Sequence, residues 1–323
     1  MTKITLSKQT ITKMRFEVNM KIFDLHCDTI GECYKNQKML RTNDMHLSLD
    51  KAAGYDEYCQ VFAIWITDDM RGQTAVKYFD NVADLYYKSI DENSDLLSVY
   101  GSGKDTPVKG VLACEGGSAC GGTIDGLRHM YERGVRLVTL TWNDNNEIGG
   151  GAFSEGGITP FGVEFVKECE RLGILIDVSH LNRETFWDVV KVTEKPFIAS
   201  HSNANIVDNE YGKRRNLDDE QIKVIRDREG LVGFNFCNDF LQQEGHPGLL
   251  SLCEQIRHFL NMGCEDIIAL GSDYDGCNMI DELRGVEKMQ DVYNFLLSQG
   301  FTEKLVNKIF YENAKRFFKN NVE

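Results

Sequence analysis

Eight short apolar runs, at residues 22–27, 59–66, 108–114, 135–141, 173–178, 196–200, 230–236 and 267–272, punctuate a more polar chain. Runs of this length, bounded by turn residues, read as buried strands. Between the later ones lie TIDGLRHMYERG, TPFGVEFVKECERLG, NRETFWDVVKVT, DDEQIKVIRDREG and LCEQIRHFLNMGC. Several of these place apolar residues at helical spacing and stop at glycine. TPFGVEFVKECERLG does so in full, with Thr159 as cap, Pro160 in the first turn and Gly173 at the end. Parallel strands need helical returns that pack outside the sheet, so eight strands with crossover helices predict an α/β fold, a (β/α)8 or TIM barrel.

The ends of these runs carry the chemistry. KIFDLHCD, VKGVLACEGG, LGILIDVSH, KPFIASHS and DIIALGSDYDG each pass directly from apolar residues to a metal-ligating type: His26 and Asp28, Glu115, His180, His201, and Asp273. In His26-Cys27-Asp28 the alternation of a strand puts imidazole and carboxylate on one face and the thiol on the other. Each residue alone has an ordinary explanation. A His-x-Asp pair is common in polar networks, His180 and His201 suit hydrogen-bonded rim positions, Asp273 suits a helix cap, and Glu115 before two glycines suits a loop. Their joint position is what points to a site, because strand ends of a barrel converge on one rim and that rim holds the active site. The other four histidines, His46, His129, His246 and His258, sit in polar or helical contexts and are expected to be structural or solvated.

Three histidines and three carboxylates without a thiolate suit a binuclear hydrolase centre holding two zinc ions, with cobalt or manganese as substitutes. Two divalent ions ~3.5–4 Å apart on a shared carboxylate can hold a bridging hydroxide at neutral pH, the nucleophile for an amide carbonyl. Asp273 and Glu115 are the expected catalytic carboxylates, Asp273 coupling metal binding to proton transfer toward the leaving amine.

Composition narrows the remaining classes. The 323 residues are 42% hydrophobic, enough for one large barrel, so residues 21–323 are expected to form a single domain and residues 1–20 a disordered arm. A net charge of -14 argues against nucleic acid and anionic membranes as partners. No apolar run reaches the ~18 residues of a spanning helix and no signal core is visible, so a cytoplasmic protein is expected. A homodimer stays open as its assembly. Cys27, Cys59, Cys114 and Cys237 lie in apparent buried strands, and no CxxC occurs among the ten cysteines, so core thiols are expected rather than disulfides. Residues 30–58 and 67–107 exceed a minimal crossover. Residues 143–158, NDNNEIGGGAFSEGGI, are too rich in glycine for a packed element and predict a loop near the site. DVYNFLLSQGFTEKLVNKIFYENAKRFF predicts a pair of amphipathic helices closing the barrel.

Taken in order, FDLHCDT, CEGG, TLTWNDNN, LIDVSH, SHSNA, RRNLDDEQI and GSDYDG resemble the renal (membrane) dipeptidase family of zinc peptidases, over about Lys21 to Phe318. The resemblance implies a bacterial-type cytoplasmic metallo-dipeptidase acting on dipeptides, including some with a D-residue at the C-terminal side. It implies His26, Asp28 and Asp273 on one zinc, His180 and His201 on the other, and Glu115 bridging. It also implies that Arg215 holds the substrate's C-terminal carboxylate, for which a two-pronged guanidinium is suited. One position departs: animal members have a histidine after TLT that contacts the substrate, and this chain has Trp142. Indole donates one hydrogen bond and takes up no proton. Trp142 and Asn143 are therefore expected to bind substrate, with Asn143 or Asn145 as a replacement donor. The alternatives are another binuclear amidohydrolase or lactonase, whose neutral substrates would gain nothing from Arg215, and a non-catalytic metal-binding scaffold, which a missing ligand would have favoured.

Overall fold

The computed structural model describes residues 20–322. The N-terminal arm expected over residues 1–20 lies, apart from Met20, outside the described residues. Among the described residues nine strands form one all-parallel sheet: β1 (Lys21–Cys27), β2 (Glu57–Trp65), β3 (Leu97–Val99), β4 (Val108–Glu115), β5 (Val135–Thr139), β6 (Leu175–Asp177), β7 (Ile198–Ala199), β8 (Leu231–Phe234) and β9 (Ile268–Leu270). The neighbours run β2-β1-β9-β8-β7-β6-β5-β4, and pairing of β2 with β4 closes eight of them into a barrel. The ninth, β3, was not expected from sequence. It pairs with the first residues of β4, Leu97 opposite Val108, below the level where β5 joins at Leu112. Three residues are too few to show a period, which is why the long stretch 67–107 concealed it behind the helix Gly72–Glu92.

Alternation along the strands sorts the core into two layers. Phe23 and Leu25, Val61 and Ala63, Val111 and Ala113, then Leu137, Leu175, Ile198, Leu231 and Ala269 fill the barrel interior. Their neighbours, among them Ile22, Phe62, Ile64, Leu112, Val138, Ile176, Val232 and Ile268, face outward to the helices. The helices begin and end as their sequences dictate: Thr159 Oγ1 accepts the Gly162 N–H at 2.9 Å, and Gly173 takes the left-handed φ of 79° that stops the helix Pro160–Leu172. At the lower end the helix Asn313–Asn321 plugs the barrel with Ala314, Phe317 and Phe318, the Phe318 ring lying 4.7 Å from that of Phe23. The expected amphipathic closure is therefore present, preceded by the helix Met289–Ser298.

One irregularity positions the site. Asp24 pairs with Gln60 and Cys27 with Phe62, so β1 spends one residue more than β2 over this interval. The bulge lets Leu25 stay inside while His26 emerges at the upper rim. Asp24 Oδ1 steadies it by accepting from the backbone N–H groups of His26 (3.2 Å) and Ser272 (2.9 Å), although burial pushes its carboxyl up to about 6. All ten cysteines are free thiols and nine are buried. Cys237 differs from its expected place: it follows β8 and caps a short helix, Asn238–Leu241, instead of lying in a strand. Among the described residues no helix is long and apolar enough to cross a membrane.

Candidate metal centre

The six residues singled out at the strand ends meet at the upper rim, all of them buried. Glu115 is the hub. Its Oε1 lies 2.9 Å from His180 Nε2 and 3.5 Å from His201 Nε2, and its Oε2 lies 3.5 Å from His26 Nε2. His26 Nε2 is also 3.5 Å from Asp28 Oδ2. Ligand atoms of His26, Glu115 and His201 fall within 4.8 Å of one another, as do those of His26, Asp28 and Asp273. Cys27, between two of these residues, turns away into the outer core, as the alternation predicted.

The hydrogen-bond pattern fixes which atoms are left to bind a cation. Asp177 Oδ2 accepts from Ser200 Oγ at 2.5 Å, so Ser200 Oγ has no proton left for His201 and must accept from His201 Nδ1, 2.7 Å away. Asn143 Oδ1, 3.1 Å from His180 Nδ1, likewise accepts a hydrogen bond from that nitrogen, which therefore carries the ring's proton. Both Nε2 atoms are then lone pairs, yet they stand 3.0 Å apart and face Glu115 Oε1. Three acceptors converging without a proton between them repel one another unless a cation sits among them. Nearby, both ring nitrogens of His26 and Oδ1 of Asp28 are buried without a hydrogen-bond partner. The donor set therefore fits divalent ions.

The titration tendencies agree for His180 and His201, while the carboxylates around His26 draw a positive charge onto it. Burial, reinforced by the charge of Arg215, pushes His180 down to about 4, and burial and the charge of His26 hold His201 well below the usual range, so both are neutral imidazoles. Burial and the Glu115 carboxylate push Asp28 up to about 7, and burial raises Asp273. Burial opposes the charged form of His26, but Glu115 and Asp28 outweigh it and carry it well above normal. Glu115 stays well below the carboxylate range in spite of burial because His26, His180 and His201 surround it.

Backbone strain accompanies two of the candidate ligands. His180 and Asp273 both have left-handed φ, 65° and 63°, uncommon for residues with a side chain. Asp273 is steadied by Asn235 Nδ2, which donates to its Oδ2 at 3.0 Å. Gly276 lies so close above Asp28 and Asp273 that a Cβ there would strike both carboxylates, so only glycine lets the turn pass over them.

A cavity of about 260 Å³ opens over the centre, with Asp28, Glu115, His180 and Asp273 on its floor and Trp65, Trp142, Asn143, Tyr211 and Phe240 on its walls. Trp142 stands edge-on to Trp65, with ring centres 4.8 Å apart. The stretch 143–158 forms neither helix nor strand and borders the site through Asn143. Arg215 does not line the cavity. It is 4% exposed, donates to Ser202 Oγ and the His201 carbonyl at 2.8 Å each, and sits 5.5 Å from the ring of Phe240, which does line it. Asn143, expected as a substrate donor, has its oxygen engaged by His180.

Sequence reading missed Asp177, Ser200, Asn235 and three of the aromatic walls, Trp65, Tyr211 and Phe240, but named the fourth, Trp142. Asp177 had a signal, a carboxylate inside the buried run LGILIDVSH, where only a polar network could satisfy it. Trp65, Tyr211 and Phe240 had none, since each also suits an ordinary packing role.

With this geometry in view, the comparisons with known proteins are consistent. A model of the membrane dipeptidase family, peptidase family M19, matches residues 12–323. The chain is similar to an uncharacterized protein from the pqqA 5′ region of Klebsiella pneumoniae, 34% identical over 222 residues, which are 65% of this chain and 81% of that protein. It is similar to a solved structure described as dipeptidase AC, a metallopeptidase of family M19: 25% identity, TM-score 0.86, covering 94% of this chain and 99% of that one. In fold it also resembles a metallopeptidase from Rhodobacter sphaeroides, solved with a phosphinate mimic of the dipeptide L-Ala-D-Ala (24% identity, TM-score 0.86, 94% and 100% covered).

Proposed function

The chain belongs to the membrane dipeptidase family and is a metallo-dipeptidase, and from that premise we propose that it hydrolyses dipeptides at a binuclear zinc centre. The observation that carries this reading is the convergence of His180 Nε2, His201 Nε2 and Glu115 Oε1 with no proton among them, beside the unpartnered donors of His26 and Asp28. His26, Asp28 and Asp273 would hold one ion, His180 and His201 the other, and Glu115 would bridge. Two zinc ions bound there would supply a water nucleophile ionised at neutral pH and a Lewis acid for the amide carbonyl.

The residues of the chain do the rest. Asp177 through Ser200, and Asn143 directly, keep His201 and His180 in the tautomer whose Nε2 is free. Asp273, at the cavity floor with one oxygen held by Asn235, is placed to accept the nucleophile's proton and hand it to the leaving amine. Arg215 is a buried cation whose hydrogen-bond partners are both neutral and whose Nε has none. Such a charge is stabilised by an arriving anion, and the free carboxylate of a dipeptide is the anion this reaction brings.

Rates for free and C-terminally amidated dipeptides test the reading. Arg215→Met is expected to lose roughly 2–5 kcal/mol of transition-state binding for free dipeptides, and amidation should lose comparably in the wild type. Equal rates for free and amidated substrates would instead favour a broader amidohydrolase.

A further inference from the structure

Phe153, Tyr211 and Phe240 form a ladder of nearly parallel rings. Phe153 and Tyr211 are 4.4 Å apart and inclined by 15°, and Tyr211 and Phe240 are 5.5 Å apart and inclined by 18°. The ladder draws on three separate segments: the glycine-rich stretch 143–158, the helix Glu210–Arg215, and the short helix Asn238–Leu241. Its inner member, Phe240, carries the Arg215 guanidinium at 5.5 Å. Both Tyr211 and Phe240 line the cavity over the candidate metal centre. Tyr211 is 45% exposed, a large apolar surface left open beside a polar floor.

We propose that Tyr211 and Phe240 form the wall that receives the side chain of the substrate's C-terminal residue, so that the enzyme favours dipeptides ending in a bulky apolar, above all aromatic, residue. The inference rests on the dipeptidase reading, through the carboxylate at Arg215. In any α-amino acid the side chain leaves from the carbon that also carries the carboxylate. A carboxylate drawn to Arg215 comes close to the Phe240 ring, over which the guanidinium lies, and the adjoining side chain has the cavity-lining edges of Phe240 and Tyr211 beside it. An aromatic side chain can pack against the open edges of these rings, covering the exposed part of Tyr211, whereas glycine leaves that surface wet. Trp65 and Trp142 line the same cavity, with Trp142 6.4 Å from the His180 ring, and are left for the N-terminal residue.

The test compares Ala-Phe, Ala-Leu and Ala-Gly on the zinc-loaded full chain. Wild type is expected to show kcat/KM for Ala-Phe roughly ten-fold or more above Ala-Gly, chiefly through KM. In Tyr211→Ala the ratio should collapse toward one, and Tyr211→Leu, which keeps apolar bulk, should restore preference for Ala-Leu over Ala-Gly. Because Tyr211 is half-exposed, the fold does not depend on it. Phe240→Leu provides a second reading, with a smaller fall in the ratio. Hydrolysis of all three dipeptides with no discrimination, or with a ratio unmoved in Tyr211→Ala, overturns the wall and leaves the dipeptidase reading standing. Failure to hydrolyse any free dipeptide overturns both.

Discussion

At the lower end of the barrel Phe317 and Phe318 pack on Phe23 among Leu137, Leu175 and Leu231, with shape and apolar area as their only requirements. At the upper end strands of the barrel run out into His26, Glu115 and Asp177, buried polar groups that apolar packing cannot satisfy. Below, every contact stabilises the fold on its own terms. Above, two candidate ligands have left-handed φ, the Asp28 and Asp273 carboxylates are pushed up by burial, and both ring nitrogens of His26 and Oδ1 of Asp28 have no hydrogen-bond partner. The difference teaches where stability and function are each built: the plug holds the strands in register, and the rim spends part of that stability on a constellation that becomes favourable only with cations.

The contrast can be broken from either side. Phe318→Ala should destabilise the fold by about 3–5 kcal/mol, the range for truncating a buried phenylalanine, read from the denaturant midpoint. Metal content per folded chain should not change. A loss of metal from the folded variant would mean that the two ends are not separable.

A smaller effect is expected from Asp177→Asn, which removes the acceptor that fixes Ser200 and through it His201. Metal affinity in chelator competition should fall roughly 10–100-fold, with the circular dichroism of the native fold retained. Unchanged affinity would show that Ser200 orients His201 without Asp177.

The smallest effect is expected at Trp142. If it shapes the cavity and does not move protons, Trp142→His should change kcat for ordinary dipeptides by much less than the roughly 10²–10⁴-fold that a general acid or base supplies. A rise of that size would reveal that this chain lacks a donor and that ordinary dipeptides are poor stand-ins for its substrate.

The lower end and the candidate ligands were legible in the sequence for the same reason: both are properties of strands. Period-2 alternation announces which residues face the interior, and a ligand type at the last position of a run announces the rim. His26, Asp28, Glu115, His180, His201 and Asp273 were all found in this way, and so was the departure of Cys27 to the other face. What escaped depends on contacts between segments distant in the chain. Nothing local marks Tyr211 or Phe240 as cavity walls, since their meeting requires the helix Glu210–Arg215 to pack on the turn after β8. The bulge at β1 is visible only against β2. The burial of Arg215 behind Phe240 also escaped, because a run such as KRRN reads as a solvated helix end until the fold buries one of its charges.

The central claim, two ions on a shared carboxylate, is tested most directly by elemental analysis of the purified protein and of Glu115→Gln, alongside their activities. The account predicts two zinc-like ions per chain in the wild type, weakened retention of both in the variant, and a fall in kcat/KM of more than roughly 10³-fold, the scale of losing a principal electrostatic element of a site. One ion per chain in fully active enzyme, or unchanged occupancy in Glu115→Gln, would contradict it.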